Sequence, residues 1–599
     1  MDTVAVTAGD AAASPLDRRL DLPGVSLEMA LYVLLIVVGL FARLWMLGEL
    51  PLSPDETRVA RAALNPTADI DLAGIGAGSF HLYGTALLFA VFGAADTTAR
   101  LSTALLGSLA PVAMLLGRVS LGRGPAAIAA VALTFSPLML DQARTVPGAG
   151  VGAIAALALV FIVTSGNGTK GGARGTRFAL ALALALTSGH GAVSGLAAIG
   201  IAFALARATG KRTTPSARSA DNAPRPDAVF GVEAIAFVGV FGFLATGGFI
   251  HLDGIYRGVV SPFGDWTAAV VRRAMIDDIV RGLLLVAGYA ALPAALGVWR
   301  IVRNLRRLDD AERVLGIWLV IGIVATLQSG GDAGHALSIV VPGTLLAARV
   351  IADALVVADH WRGLTLTGIT IAWWGATIIS LGIGHVSLPD PVAARYLAPV
   401  LGTFVSPESA NEVAIRAIVI VPIALTLAAA LYLWRQVGAR AWPALGFGVI
   451  TLLIARETHV AWNLAYNALD NRAELPRSLQ TSVDVRALAA DANAVSQVLT
   501  IARKDRVISI PESLRDPLEW YLRGSTINVN PVPSGNPAMV VLDAETKALA
   551  GRYTGQRYRS HARGSLAFEN AAEFWRWIAY REAPDVARAT DVVLYVRAQ

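Results

Sequence analysis

Cysteine is missing from all 599 residues, which excludes disulfides, thiol nucleophiles and Cys-ligated metals. Charge is scarce too: Asp, Glu, Lys and Arg make up 16% of the chain, against 55% hydrophobic residues and a mean hydropathy of +0.57. A soluble protein of this size is far less apolar, so the chain reads as a polytopic membrane protein. No cleavable leader is evident, because Met1 to Ser26 is mixed and polar. The first apolar run, roughly 29–47, is expected to act as an uncleaved anchor. No internal repeat is visible. The net charge of +6 is no nucleic-acid footprint, since the basic residues cluster in short loops between apolar runs.

A helix needs about 20 apolar residues to cross the hydrocarbon core. Such runs lie near 29–47, 99–117, 124–140, 149–165, 178–190, 191–206, 229–250, 281–299, 314–328, 335–356, 364–386, 412–434 and 441–455, about thirteen in all. Segment 82–93 is apolar but short, as expected of a helix lying in the interface. Loop charge orients the set. Arg18-Arg19, Arg118 with Arg123, Lys170 to Arg177, Arg207 to Arg225, Arg300 to Arg313, His360 to Arg362 and Arg435 to Arg440 all fall on one side. That side is cytoplasmic, with the N-terminal segment 1–28, by the positive-inside rule. The other face receives loops 48–98, 141–148, 251–280, 329–334 and 387–411, and everything from Arg456 onward.

After the membrane domain 29–455, the composition of 456–599 is that of a soluble α/β domain, expected outside the cytoplasm. A helix should start at Ser482-Val-Asp-Val485 and run to about Leu499. Strands are expected at Arg506–Ile510, Thr526–Val529, Met539–Leu542 and Asp591–Val596, with a helix over Ala572–Arg581. Lys211 to Asp227, rich in Ser, Pro, Ala and Arg, reads as a cytoplasmic linker.

The acids are nearly absent from the spans and gather in the outer loops, which favours surface chemistry over translocation through midplane sites. Most informative is Asp55-Glu56, within Pro51-Leu-Ser-Pro-Asp-Glu-Thr-Arg58 just beyond the first span. Pro51 and Pro54 stiffen the approach, and Arg43, Arg58 and Arg61 lie close in sequence. Guanidinium groups favour the ionised form of a neighbouring acid, the form that serves as a general base. The alternative is a solvated acidic pair in a loop.

Arg43-Leu-Trp45, Gly48, Pro51 and Asp55-Glu56, followed by His81-Leu-Tyr83, Phe89-Ala-Val-Phe92-Gly93, Ala99-Arg-Leu-Ser102 and Leu106-Gly107, resemble the start of the GT-C membrane glycosyltransferases. The order is similar to the dolichyl-phosphate-mannose-protein mannosyltransferase-like branch, and Leu121-Gly-Arg123-Gly and Leu133-Thr-Phe-Ser136-Pro137 continue it. In the tail, Gln480 to Val485 and Asp516-Pro-Leu-Glu-Trp520-Tyr-Leu-Arg523 resemble a prokaryotic branch labelled flippase-activity-associated.

The resemblance implies a GT-C-like helical membrane domain in a prokaryotic plasma membrane. It also implies an inverting, hexosyl-type transfer on the outer face, from a polyprenyl-phosphate-linked sugar to a glycan, lipid or protein acceptor. Asp55 would be the base, and Glu56 would orient the acceptor, assist Asp55 or bind a cation. GT-C families differ over metal dependence; a divalent cation such as Mg or Mn has only Asp55 and Glu56 as candidate ligands here, too few to decide. Cations must stabilise the leaving phosphate.

Candidate substrate-binding residues are Arg58, His81, Tyr83, Asp141, Arg144, Arg257 and His335. His81 lacks the proline usual after it, and an interfacial histidine is its alternative. Asp141 and Arg144 could equally be an i,i+3 pair ending a helix. Arg257, near His251, Asp253 and Tyr256, is either a phosphate contact or an interfacial anchor. His335 stands at a membrane edge, where a histidine is a functional candidate. His190 in Ser188-Gly-His-Gly191 marks a helix break or a flexible turn. Trp520, Tyr521, Trp575 and Trp577 either stack on sugar rings or pack in the tail's core. Two further functions compete with the enzyme: a transport- or flippase-associated protein, and an inactive binder of lipid-linked sugar.

Overall fold

The computed structural model describes residues 26–66, 72, 74–165, 172–208, 230–386, 407–467, 474–477, 479–501, 507–529, 538–545, 553–563, 568, 571–581 and 588–597. The expected linker Lys211–Asp227 lies outside them, as does nearly all of segment 1–28.

Ser26 starts the first helix, α1 (Leu27–Leu44), by accepting the Met29 N–H at 3.2 Å. The first loop then folds into α2 (Pro54–Leu64) and α3 (Ser79–Phe92). Next come α4 (Asp96–Gly107), α5 (Ala110–Leu121), α6 (Arg123–Phe135), α7 (Pro137–Gln142) and α8 (Gly150–Thr164). The second stretch comprises α9 (Gly172–Thr187), α10 (Val193–Ala208), α11 (Phe230–Thr246), α12 (Ser261–Val271), α13 (Ile276–Tyr289) and α14 (Ala291–Asn304). The membrane part closes with α15 (Asp310–Gln328), α16 (Ala333–His360), α17 (Arg362–Val386), α18 (Pro407–Val437) and α19 (Ala441–Trp462).

Among the described residues, six helical segments are long and apolar enough to cross a bilayer; α13 and α14, bent by 97°, make a seventh if counted as one broken span. These make the chain an integral membrane protein. Four further apolar helices, Ser79–Phe92, Arg123–Phe135, Gly150–Thr164 and Glu233–Thr246, are shorter. Some of the thirteen expected runs therefore correspond to helices of less than full membrane length.

Met114, Leu133, Val160, Phe161, Trp318 and Leu337 belong to the buried core shared by α5, α6, α8, α15 and α16. Helices α17 and α18 instead leave Leu366, Trp374, Leu425 and Leu431 exposed, as lipid-facing helices do. The bend between α13 and α14 frees backbone carbonyls that an apolar setting cannot solvate. Arg456 donates to those of Ala287 and Gly288 at 3.1 Å each, and Arg581 reaches Gly288 at 2.7 Å.

The tail forms a six-stranded mixed sheet from β1 (Leu479–Thr481), β2 (Val507–Ile510), β3 (Thr526–Val529), β4 (Met539–Asp543), β5 (Tyr553–Arg563) and β6 (Arg588–Arg597). Its order is β1-β5-β6-β4-β2-β3, with β2 parallel to β3 and β4 and the other pairs antiparallel. Helices α20 (Asp484–Ile501) and α21 (Arg515–Tyr521) bury Val485, Leu488 and Leu518 with Ile508, Val541 and Leu594 of the sheet. Helix α22 (Ala571–Tyr580) leaves this core, and its Trp577 joins the membrane bundle beside Tyr289.

Candidate functional site

Helix α2 begins where local chemistry demands it. The Ser53 hydroxyl accepts the Glu56 N–H, the Glu56 carboxylate accepts the Ser53 N–H at 2.8 Å, and Pro54 occupies the first turn. This capping box puts Asp55 and Glu56 at a helix N-terminus, where the macrodipole favours anions. Their environments then diverge. The Asp55 side chain is 51% exposed and pairs with Arg58. Glu56 is buried, with Arg100 bidentate on it at 2.7 Å for both bonds, Ser53 N–H on Oε2 and Val146 N–H on Oε1 at 3.2 Å.

Those four bonds fill the acceptor capacity of a carboxylate. Glu56 therefore has none left for the acceptor-orienting or cation-binding roles expected from sequence; it positions the helix that carries Asp55. The Asp55-Glu56 pair does not fit a metal ion, since one of its two members is fully engaged. Arg100, which sequence reasoning left out of the site, also donates to the carbonyls of Leu47, Leu50 and Pro51 at 2.8–3.0 Å and so fastens the whole entry to the loop. A guanidinium near the start of an apolar helix was the available signal.

A cavity of about 240 Å³ opens beside this helix. Asp55, Glu56, Arg100, Asp141, Arg144, His190 and Asp332 all line it. Arg144 is buried and donates to the carbonyls of Ala42, Arg43, Trp45 and Met46 at 2.7–3.1 Å, satisfying the open end of α1. Asp141, also buried, lies in the last turn of α7.

His335 joins the cavity through Asp332, its Nδ1 lying 2.9 Å from Asp332 Oδ1.

His81 and Tyr83 lie away from the cavity lining. His81 is fully buried, with Nε2 3.0 Å from the Ser188 carbonyl, so it ties α3 to the break after α9 rather than lying in the interface. Tyr83 stacks on His251 with ring centroids 5.8 Å apart. The Arg257 side chain lies outside the described residues.

The tail closes over the first loop. Asp96 accepts Trp520 Nε1–H at 2.8 Å, the Tyr521 hydroxyl at 2.9 Å and Arg486 at 2.6 Å, while the Leu52 N–H donates to the Tyr521 oxygen at 2.7 Å. Burial, with Asp96 alongside, pushes the Tyr521 hydroxyl up, so it stays a donor. Arg61 of α2 pairs with Asp516 and Glu519 of α21. Trp520 is buried and stacks on Phe89 at 5.7 Å, and Trp577 is buried against Tyr289. Both are core residues, not sugar platforms.

No protein-family model matches the chain, and no curated protein aligns with it significantly. Two crystal structures of ArnT from Cupriavidus metallidurans are similar to it, one bound to undecaprenyl phosphate and one in the apo state. Their TM-scores are 0.51 and 0.50, each at 16% identity over 94% of this chain and 97% of theirs. At that identity the likeness is one of fold, extending over nearly the whole chain.

Proposed function

We propose that the chain is a membrane glycosyltransferase of the GT-C superfamily that takes a hexosyl-type sugar from a polyprenyl-phosphate-linked donor on the extracytoplasmic face. The observation that carries this is Asp55. It is a half-exposed carboxylate held at the rim of a charged cavity, on a fold shared with a protein solved in complex with undecaprenyl phosphate.

In this reading the Asp55 carboxylate removes the proton from an acceptor hydroxyl. The resulting oxygen attacks the anomeric carbon from the face opposite the phosphate, and the carbon–oxygen bond to phosphate breaks with inversion. Polyprenyl phosphate leaves with its own negative charge, so no strong general acid is required. Arg58, paired with Asp55, orients that base. Arg144 and Arg100 act indirectly, through the end of α1 and through Glu56. The tail serves as a clamp on the first loop.

Sugar transfer in proteoliposomes supplied with polyprenyl-phosphate sugars and a membrane-derived acceptor pool tests the proposal. The native chain is expected to transfer sugar, and Asp55→Asn to lose transfer by about 100-fold or more while still binding donor. Equal transfer by both removes Asp55 as the base. Donor binding without transfer by the native chain replaces the enzyme with a binder of lipid-linked sugar.

A further inference from the structure

We propose that His190, Asp332 and His335 form a site for one divalent transition-metal cation of the zinc class. His190 is far in the chain from Asp332 and His335, which are three residues apart. His190 opens the short turn between α9 and α10, and Asp332 and His335 flank the start of α16. One donor atom from each lies within 4.8 Å of the other two. Asp332 Oδ1 is 2.9 Å from His335 Nδ1 and 3.8 Å from His190 Nε2. A tetrahedral zinc, with bonds of about 2.0–2.1 Å, holds its ligand atoms about 3.3 Å apart, so shifts of about half an ångström bring both pairs to that spacing.

The surroundings hold His190 ready to ligate. Gly76 and Gly189 both have positive φ, at 66° and 85°, and a Cβ on Gly76 would lie 1.8 Å from His190 Nδ1. A Cβ on Gly334 would lie 2.2 Å from His190 Nε2. The imidazole is thus wedged between two backbones that only glycine allows so near. With Nδ1–H donating to the Gly76 carbonyl at 3.2 Å, Nε2 carries the lone pair. That Nε2 is buried and has no hydrogen-bond partner.

The two rings stack with centroids 5.0 Å apart. Two imidazolium cations at that distance repel, whereas two neutral imidazoles and a carboxylate suit one shared dication. Imidazole ligands select zinc-like ions over magnesium or calcium. Two histidines and one carboxylate leave a fourth position open, as in catalytic zinc sites. His190, Asp332 and Gly334 line the cavity that also holds Asp55. On the glycosyltransferase reading, a cation held there would supply Lewis-acid stabilisation to a phosphate bound in the same cavity. The cation site itself does not rest on that reading.

The test uses the full chain in nanodiscs, stripped with a chelator. It is titrated with Zn²⁺ by calorimetry and with Co²⁺ by visible absorption. The native chain is expected to take up one equivalent and to show the bands of four-coordinate cobalt. Asp332→Asn, His190→Gln and His335→Gln should each weaken uptake more than about ten-fold, the loss that an outer-shell change alone can cause. Asp332→Asn, at a half-exposed turn residue, decides the matter if a buried histidine change unfolds the chain. Asp55→Asn should bind metal as the native chain does.

No uptake by the folded native chain overturns the site, as does unchanged uptake by folded Asp332→Asn. Loss of uptake in Asp55→Asn would move the cation to the acidic pair and overturn it as well. The cobalt spectrum is read without any sugar transfer. A chain that binds metal but transfers nothing therefore sinks the glycosyltransferase reading and leaves the cation site standing.

Discussion

Asp55 and Glu56 are neighbours that the chain uses in opposite ways. One leaves half its side chain open to the cavity, and the other is buried under four hydrogen bonds. Glu56→Gln keeps the size but breaks the bidentate pairing and strands the Arg100 guanidinium in a buried place. Breaking such a pair costs about 3–5 kcal/mol. Asp55→Asn, at a half-exposed position, should stay within about 0.5 kcal/mol of the native stability. Thermal melts in detergent followed by tryptophan fluorescence should show a marked drop for the first and none for the second. A similar drop for both would contradict the division of roles. The acidic pair was legible in the sequence because two adjacent carboxylates beyond a membrane span are unusual. Which of them is engaged was not legible, since Arg100 lies 44 residues away and only the folded loop brings it to Glu56.

Helix α2 is held from below by Arg100 and from above by the tail. That second contact runs through Arg61 on Asp516 and Glu519, and Asp96 at the start of α4 reinforces it by accepting from Trp520, Tyr521 and Arg486 together. Asp96→Ala removes one small acid but leaves three donors without their acceptor, each costing about 1–3 kcal/mol where it is desolvated. Hydrogen exchange should then rise in α2 and α21 while α5 and α8, in the bundle core, keep their protection. Exchange unchanged in α2 would mean that the tail merely rests on the loop.

The elements themselves were unevenly readable. Val507–Ile510, Thr526–Val529 and Met539–Asp543 are short apolar runs and stand where the pattern placed them. Strand β5 was missed because its sequence, Tyr553 to Arg563, is mostly polar; it turns in Tyr558 and Ser560 and is recruited by its neighbours β1 and β6. Helix α19 was ended too early, at residue 455, because Arg456 and Glu457 read as the exit from the membrane. In the fold both charges are used inside the helix, Arg456 on the carbonyls of Ala287 and Gly288 and Glu457 on the Leu292 N–H at 3.2 Å. A broken neighbouring helix creates that demand, and no local pattern announces it.

Across the whole molecule, the tail and the first loop share one side of the membrane, because Arg61, Asp96 and Arg486 join them directly. Arg581 and Trp577 fasten the same tail to the bend between α13 and α14. One orientation therefore fixes the side of Asp55, the cavity and the tail together. By the positive-inside rule, Arg300 to Arg313 are expected in the cytoplasm and the tail outside it. The absence of cysteine makes this directly measurable, since any thiol introduced is the sole target for a maleimide. Val498, on the exposed face of α20, and Leu305, just beyond α14, are exposed positions on these two regions. In sealed inside-in vesicles or intact cells, Val498→Cys should react with a membrane-impermeant maleimide. Leu305→Cys should react only after permeabilisation. The reverse pattern would put Asp55 on the cytoplasmic face and force a donor supplied from within. Labelling of both positions in intact cells would show that the two regions share a side and would overturn the expected topology.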